Sequence, residues 1–375
     1  MRHYDYLVIG SGIAGASLAA ELADAARVLV VDRETSHGYH TTGRSAAMFI
    51  ESYGNAWIRR LTGASRAFFD APPDGFCEHP LLRRRGCLTI ATRDQRPTLD
   101  ALVAALRTEG IGVREISGQA VREMVPILRA KAGSRAILEP TSCDIDTHAL
   151  HGGYLRLARA RGADLRLNAG VERMERRPAG WRVTLAGGDT AEARVIVNAA
   201  GPWADQVAEQ AGTAPQGLTP RRRTAILIDP PSKLAVDSWP TVIDVDEQFY
   251  FKPESGRLLA SPADETPCAP ADAAPEEYDI AVCIDRLQTA TTLSTSHVRR
   301  SWAGLRTFAP DRTPVFGYAP DTAGFFWFAG QGGYGMQTAP AAARLGAALV
   351  LEREMPRDLA ESGLRFAPFS PSRWR

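Results

Sequence analysis

The feature that most constrains this chain is the run YLVIGSGIAG at residues 6–15. Its first four residues predict a short buried strand, and the Ala- and Leu-rich run that follows favours a helix. Gly10, Gly12 and Gly15 have G-x-G-x-x-G spacing. The first glycine permits a tight turn, the second lets the backbone approach a pyrophosphate, and the third lets the helix pack against the strand. The segment therefore predicts a phosphate site at a helix N-terminus.

The sequence just downstream supports this interpretation. RVLVV at residues 27–31 predicts a second strand, and it ends at Asp32, at the distance where an acidic residue accepts hydrogen bonds from a ribose. The glycine motif alone is weak evidence, and a glycine-rich turn without a ligand is the alternative. Together, the strand, the helix and the acid favour a dinucleotide-binding βαβ unit.

A second glycine cluster follows the aromatic run FFWFA near the C-terminus. Gly330, Gly332 and Gly335 repeat the spacing of the first motif and precede another helical pattern. Only 23 residues follow Glu352, too few for a second βαβ unit, so this helix is expected to face another part of the same cofactor. A helix N-terminus stabilises the negative charge of a reduced flavin, whereas a nicotinamide has no use for it. FAD is therefore favoured over NAD.

Composition limits the class of protein. At 375 residues and 45% hydrophobic content, the chain is a globular protein long enough for two domains. The net charge of +1 gives no field that would attract nucleic acid, and no apolar run has membrane-spanning length. Five scattered cysteines predict reduced thiols in the cytoplasm, and the first motif starts too close to Met1 for a cleavable signal. The pairs His37/His40 and His148/His151 lack the carboxylate or cysteine cluster that would complete a metal site.

Five segments carry a resemblance to a known family. GSGIAG with Asp32, TTGRSAA, NAAGPWAD, GLRTFAPDRTPVFG and GQGGYGMQ occur in this order along nearly the whole chain. The sequence resembles the FAD-dependent D-amino-acid oxidase and glycine oxidase superfamily, and within it the bacterial D-arginine dehydrogenases. The fold class is then α/β (α+β overall), with a Rossmann-like FAD-binding domain and a mostly antiparallel β-sheet substrate domain. The resemblance assigns the FAD-binding domain to residues 1–80, 145–215 and 318–375, and the substrate-binding domain to 81–144 and 216–317.

The resemblance also implies which residues contact the FAD. No cysteine or histidine lies in the C-terminal flavin loop, so the FAD is expected to be bound noncovalently. The residues expected along the cofactor are Gly10, Gly12, Ile13, Ala14, Gly15, Asp32, Arg33, Thr42, Arg44, Ser45, Ala46, Val171, Ala200, Gly201, Trp203, Gly332, Gly333, Tyr334, Gly335 and Gln337.

By the same resemblance, a few polar side chains act on the substrate. Arg306 matches the arginine that pairs with a substrate carboxylate, a geometry suited to guanidinium, although a surface arginine is the alternative. Arg222 matches a second arginine of this kind, and a solvated basic run competes with that interpretation. Tyr250 is expected to place its hydroxyl over the carboxylate, with Phe249 on the opposite strand face, and Tyr53 to act as a lid. A core tyrosine and a lone aromatic at a helix start are the respective alternatives.

Two positions bear on the substrate side chain. The D-arginine-preferring type has a histidine at Met48 and, near Cys87, a glutamate that pairs with the cationic side chain. Without such an acid a buried guanidinium would lack a partner, so a less polar amino acid is favoured, with Met48 and Gly333 beside it. Glu51 or Glu78 could replace the missing acid.

These expectations define one enzyme reaction and two rivals. The favoured reaction is oxidative deamination of an apolar or broad-range D-amino acid to the 2-oxo acid and ammonia, by hydride transfer from Cα to flavin N5. Its partners are the amino acid and an electron acceptor, which is oxygen, a quinone or a carrier. One rival is the oxidation of secondary amines such as glycine, sarcosine or D-proline derivatives, and the other is a non-catalytic flavoprotein subunit of a redox complex. The D configuration follows from the resemblance alone.

Overall fold

The computed structural model describes residues 3–231, 234–294 and 297–374. The strands are β1 (His3–Ile9), β2 (Val28–Val31), β3 (Met48–Phe49), β4 (Leu82–Arg84), β5 (Cys87–Ala91), β6 (Arg114–Ser117), β7 (Arg135–Glu139), β8 (Cys143–Ile145), β9 (Asp164–Arg166), β10 (Val171–Arg177), β11 (Gly180–Leu185), β12 (Thr190–Asn198), β13 (Thr219–Ile228), β14 (Thr241–Asp244), β15 (Tyr250–Glu254), β16 (Arg257–Ser261), β17 (Thr266–Pro267), β18 (Val298–Phe308), β19 (Val315–Tyr318) and β20 (Phe325–Ala329). The helices are α1 (Ile13–Leu22), α2 (Ala56–Asp70), α3 (Arg96–Thr108), α4 (Gly118–Met124), α5 (Thr147–Ala160), α6 (Ala204–Gln210), α7 (Glu277–Ala290), α8 (Gly335–Val350) and α9 (Arg357–Glu361), with short 3-10 turns at Gly201–Trp203 and Ala367–Phe369.

The first sheet is built around β1 and β12. The strand order is β10-β11-β12-β1-β2-β9, and β20 with β19 extends it beside the second half of β12. The pairs β12–β1, β1–β2, β2–β9 and β12–β20 are parallel, which brings the carboxyl ends of these strands to one edge. All four residues of β2 are buried, as expected for a parallel strand covered on both faces.

The predicted glycine turn joins β1 to α1. Gly10 has a φ of 104°, a conformation that favours glycine. A Cβ on Gly15 would lie 1.9 Å from the Gly10 carbonyl oxygen, so a larger residue there would force the helix away from the turn. The first glycine therefore shapes the turn, and the third allows α1 to pack against it.

The second sheet forms the wall opposite the first. Its strand order is β17-β13-β16-β15-β14-β5-β7-β6, with β18 beside β13. All these pairs are antiparallel except β14–β5. A small sheet, β3-β8-β4, completes the strand pairing. The mixed α/β fold class predicted from the sequence is confirmed, while the exact domain borders remain a prediction.

Separate hydrophobic cores support the two large sheets. One buried cluster packs α1, α5 and α8 on the first sheet, and another fills the space between the second sheet and α7. No helix in the described ranges combines the length and the apolar character that a membrane crossing requires. The site residues described below lie mainly on strand ends and loops between these cores.

Candidate functional site

A cavity of about 490 Å³ runs along the carboxyl edge of the first sheet and reaches β18 of the second. It is lined by the glycine turn, the end of β2, the segment 38–46, the turn after β12 and the start of α8. Since ligands of open α/β sheets dock outside the carboxyl ends of parallel strands, this is the expected position for a dinucleotide.

Two helix N-termini face this cavity. The N-cap residues are Gly12 for α1 and Tyr334 for α8, and neither cap residue makes a side-chain capping hydrogen bond. On α1, the Ile13 N–H donates to the Thr42 hydroxyl at 3.0 Å, which ties the segment after β2 to the helix start. The first turns of both helices thus present backbone N–H groups and positive dipole ends to one elongated site.

Asp32 lies at the end of β2, beside the glycine turn. Its carboxylate accepts hydrogen bonds from the Ser11 N–H at 2.7 Å, the Ser11 hydroxyl at 2.6 Å and the Glu34 N–H at 3.0 Å. The residue also lines the cavity. These bonds hold an acceptor where the sequence motif predicts the ribose.

The far end of the cavity carries an aromatic and cationic platform. The Arg33 guanidinium lies 3.8 Å from the centroid of the Trp203 ring, and the His40 ring centroid lies 4.6 Å from it. Val171 lines the same region. Aromatic and guanidinium groups of this kind can stack on a planar base.

Most of the sequence-predicted cofactor residues line this cavity, and three do not. Gly15 packs within the turn, while Tyr334 and Gln337 lie outside the cavity wall. The Gln337 amide is taken up by the Ile50 backbone and by the Thr62 hydroxyl. The predicted residues that line the cavity are Gly10, Gly12, Ile13, Ala14, Asp32, Arg33, Thr42, Arg44, Ser45, Ala46, Val171, Ala200, Gly201, Trp203, Gly332, Gly333 and Gly335.

Arg44 connects the segment 38–46 to the second sheet and to the loop before α7. Its guanidinium donates to the carbonyl of Ala273 at 2.7 Å and to that of Ala303 at 3.1 Å, and it forms an ion pair with Asp272. Tyr39 donates its hydroxyl to the same carboxylate at 3.2 Å. The loop that contains Asp272 is therefore fastened over the side of the cavity.

A smaller cavity of about 50 Å³ adjoins the large one and shares Tyr250, Arg306 and Gly333 with it. Its wall is mainly apolar, with two arginines and one glutamate. The lining residues are Ser45, Ala46, Ala47, Met48, Ile50, Tyr53, Arg223, Ile243, Glu247, Phe249, Tyr250, Ala263, Arg306, Gly333 and Gln337. The size and the shared wall fit a small substrate held next to the reactive end of a cofactor.

Arg306, on β18, is the central cation of this small cavity. It donates to the Tyr53 hydroxyl at 3.3 Å, and in the described ranges no carboxylate lies within ion-pairing distance of it. Burial acts to lower the pKa of Arg306, but the surrounding phenols and Glu247 outweigh this and raise it, so the guanidinium stays charged. A partly buried cation that lines a cavity and has no anionic partner is suited to bind an anion.

The two sequence-predicted tyrosines meet at this arginine. Tyr250 is buried on β15 and lines both cavities. The Tyr53 hydroxyl lies 3.5 Å from Glu247, and its ring packs on Tyr334 with centroids 5.1 Å apart. Burial raises the pKa of Tyr53, which keeps its phenol neutral near Arg306. Both tyrosines therefore line the small cavity, and the Tyr53 hydroxyl accepts the hydrogen bond from Arg306 there.

The second arginine predicted from the sequence, Arg222, lies outside both cavities, and this corrects the assignment. Arg222 donates to Asp279 at 3.0 Å and pairs with Glu276. Its neighbour Arg223 lines both cavities instead, with its guanidinium bonded to Glu265 at 3.0 Å. Successive residues of a strand point to opposite faces, so a shift of one position exchanges the two roles.

Of the two positions expected to lie beside the substrate side chain, Met48 and Cys87, only Met48 lines the small cavity. Met48 lines the small cavity, where its sulfur accepts a hydrogen bond from Thr241 at 3.0 Å. Cys87 does not line it: the side chain is 2% exposed within β5, between β14 and β7, and burial raises its pKa. Glu51 and Glu78 also lie outside the cavity walls.

The acid that does line the small cavity was missed by the sequence reasoning. Glu247 lies in the turn between β14 and β15 with a φ of 53°. The apolar flanks of this turn gave no signal of a site, since nothing in VIDVDEQFYF distinguishes Glu247 from Asp244 or Asp246. Strand pairing brings it to Tyr53, about 190 residues away in sequence.

The fold and the cavity are typical of a dinucleotide-binding protein, and the family comparison identifies the dinucleotide. The sequence model of the family described as "FAD dependent oxidoreductase" (DAO) matches residues 5–349, so the chain belongs to that family. FAD is therefore its cofactor. The donor set fits this group: the N-terminus of α1 would hold the pyrophosphate, Asp32 the ribose, and the N-terminus of α8 the anionic edge of the flavin.

Individual relatives share a quarter or less of their residues with this chain. The chain is 25% identical to hydrogen cyanide synthase subunit HcnC of Pseudomonas aeruginosa, over 98% of this chain and 97% of that one. Its fold is similar to that of glycine oxidase from Geobacillus kaustophilus (TM-score 0.84, 23% identity, 100% of this chain and 99% of that one). It is also similar to L-proline dehydrogenase from P. horikoshii (TM-score 0.82, 19% identity, 100% and 98%). These solved structures support the fold of the chain but do not identify its substrate.

Proposed function

We propose that this chain is a D-amino-acid dehydrogenase or oxidase that converts an apolar or broad range of D-amino acids to 2-oxo acids and ammonium. The observation that carries the proposal is the partly buried Arg306 guanidinium, which lines both cavities and has no carboxylate partner in the described ranges. A substrate carboxylate would supply that partner, and guanidinium binds carboxylate through two parallel hydrogen bonds.

The hydroxyl groups around Arg306 support the same assignment. Tyr250 and Tyr53 line the small cavity with it, so a carboxylate bound there would meet two phenols as well as the guanidinium. Arg223 adds positive charge nearby, although Glu265 neutralises part of it. These contacts hold one end of the substrate, which sets the direction of the α-carbon.

The rest of the wall supports a side chain without charge. Met48, Ile50, Ile243 and Phe249 present apolar atoms, whereas Glu247 belongs to an exposed turn. A guanidinium or ammonium buried against the apolar part of this wall would lose its hydration without gaining a partner. The D configuration rests on the resemblance of the five sequence segments to the D-amino-acid oxidase type.

The reaction balances as a two-electron oxidation. FAD held at the N-termini of α1 and α8 and at Asp32 would serve as the acceptor of the hydride that leaves the α-carbon of the amino acid. The nitrogen lone pair forms the C=N bond, and water then replaces the imine nitrogen to give the 2-oxo acid and ammonium. In this reaction the role of the chain is to bind the substrate carboxylate at Arg306, beside the mainly apolar wall of the small cavity.

Anaerobic mixing of the purified FAD-bound protein with single amino acids tests the proposal. Loss of the oxidised flavin absorption should be fastest with apolar D-amino acids and slow with D-arginine and with L-amino acids. The Arg306→Leu variant is the control, and its flavin should bleach far more slowly. Fastest bleaching with D-arginine would overturn the side-chain assignment, and bleaching with L-amino acids alone would overturn the D configuration.

A second candidate is supported by the size of the small cavity. About 50 Å³ suits small amines, so glycine, sarcosine and D-proline derivatives belong in the same panel. Glycine oxidase and L-proline dehydrogenase are among the similar structures. Faster bleaching by these compounds than by D-alanine or D-methionine would favour this candidate.

The electron acceptor and the cellular compartment belong to the same proposal. The five cysteines are free thiols, which supports a reducing compartment such as the cytoplasm. Oxygen, a quinone or a protein carrier would reoxidise the FAD. Turnover of the purified chain with a dye acceptor would exclude the non-catalytic subunit alternative, which the similarity to an HcnC subunit keeps in view.

A further inference from the structure

The turn that carries Tyr53 is fastened by a buried carboxylate from the second sheet. Glu139 lies at the end of β7 and is 2% exposed. One of its oxygens accepts the Glu51 N–H at 2.8 Å, and the other accepts the Ser52 N–H at 3.1 Å. Both carboxylate oxygens therefore bind the backbone immediately before Tyr53.

The other side of the same turn is held by α8. The Gln337 side chain accepts the Ile50 N–H at 3.4 Å and donates to the Ile50 carbonyl at 3.3 Å. Within the turn, the Tyr53 N–H donates to the same carbonyl at 3.4 Å. Buried side chains therefore bond the backbone from Ile50 to Ser52 on both sides. The position of this backbone determines where the Tyr53 phenol lies.

The Glu139 carboxylate is buried, so the free energy of its desolvation must be offset by its hydrogen bonds. In the described ranges no cation lies within ion-pairing distance of this carboxylate, and its side-chain hydrogen bonds are those to the two turn N–H groups. Burial and the neighbouring Glu139 raise the pKa of Glu51, a further cost of placing the charge here. Hydrogen bonds to an ionised acceptor are shorter and about twice as strong as neutral ones, so the carboxylate holds the turn more firmly than a neutral side chain would.

We propose that Glu139 is a positioning residue that fixes the Ile50–Tyr53 turn so that the Tyr53 hydroxyl meets Arg306. The proposal rests on the proposed function, because it assigns Glu139 a role in binding the substrate carboxylate. Glu139 touches neither cavity, so it acts through Tyr53. Through Glu139, β7 positions the Ile50–Tyr53 turn, although β7 contributes no residue to either cavity wall.

The test uses the FAD-bound full chain and the variants Glu139→Gln and Glu139→Asp. Glutamine keeps the shape but turns an NH₂ group toward one of the two N–H donors, and aspartate keeps the charge but withdraws it by one methylene. Acetate and benzoate, which have no oxidisable amine, are titrated while the flavin absorption is recorded. We expect Glu139→Gln to weaken carboxylate binding about tenfold and Glu139→Asp to weaken it less. With the amino acid that bleaches wild type fastest, KM should rise by a similar factor while kcat changes little.

Matched controls separate positioning from stability. Ile137→Val removes one buried methylene from the same strand and should lower the melting temperature without changing carboxylate binding. In a Tyr53→Phe background, Glu139→Gln should have little further effect, because both changes remove the same contact. A full additional tenfold loss in that background would overturn the proposal.

The outcomes distinguish the two proposals. If neither probe perturbs the wild-type flavin spectrum and no amine bleaches it, the proposed carboxylate site fails and the role of Glu139 fails with it. If wild type responds and both Glu139 variants respond with unchanged affinity, only the role of Glu139 is overturned. If Glu139→Gln does not fold, Glu139→Asp decides by the same criteria.

Discussion

Replacing Arg306 with leucine removes a partly buried guanidinium from the wall that the two cavities share. The group donates to the Tyr53 hydroxyl at 3.3 Å and has no carboxylate partner in the described part of the chain. A bound substrate carboxylate would complete it through charge-assisted hydrogen bonds in a site shielded from water. The substitution therefore separates recognition from stability more cleanly than most changes to a buried residue.

The expected magnitude follows from the burial of the pair. Removing one partner of a buried charge pair costs about 2–5 kcal/mol of binding, which corresponds to a loss of roughly 30- to 5000-fold. The melting temperature of Arg306→Leu should stay the same or rise, because the folded protein no longer partly desolvates a cation that has no anionic partner. Arg306→Lys keeps the charge but not the planar fork, so it should lie between leucine and wild type.

The assay is the anaerobic bleaching rate as a function of amino-acid concentration, together with the acetate titration and a thermal melt. Arg300→Leu is the matched control, because Arg300 lies on the same strand but is exposed and remote from both cavities. A variant Arg306→Leu that melts well below wild type yet keeps its kcat/KM would refute the reasoning. Arg306 would then be a structural cation, and another group would bind the substrate.

Three further predictions follow from the contacts described above. Arg223→Met should lower kcat/KM, whereas Arg222→Met should mainly lower the melting temperature, because it leaves Asp279 without its partner. Steady-state kinetics and thermal melts of the two variants check this. The reverse pattern would contradict the strand register. Asp272→Asn should speed FAD release a few-fold, measured by dilution and flavin fluorescence, because it removes the ion pair with Arg44, and an unchanged rate would contradict the fastening role of the loop. Burial raises the pKa of Tyr318 to about 12, so above about pH 10 the phenol loses its proton in the unfolded chain but not in the folded protein. The free energy of unfolding should therefore fall as the pH rises toward 12. Chemical denaturation at about pH 9 and 11 checks the sign, and Tyr318→Phe should reduce the dependence of the unfolding free energy on pH.

The sequence by itself determined the cofactor half of this protein. The glycine spacing, the acid after β2 and the second glycine cluster are local patterns, and each turn between a strand and a helix follows from residues adjacent in the chain. Gly10, Asp32 and Gly332 therefore lie on the cavity as expected. Arg306, assigned through the resemblance of the motif around it, also lines the cavity.

Only the tertiary structure decided the substrate half. Arg222 and Arg223 are adjacent in a basic run, and the strand register alone decides which one faces the cavity. Cys87 is buried within the second sheet, whereas Glu247 from the β14–β15 turn and Glu139 from the end of β7 contact the segment that contains Tyr53. Local patterns specify turns and helix ends, but a site assembled from the ends of several strands depends on long-range pairing, which a single sequence does not encode in any short segment.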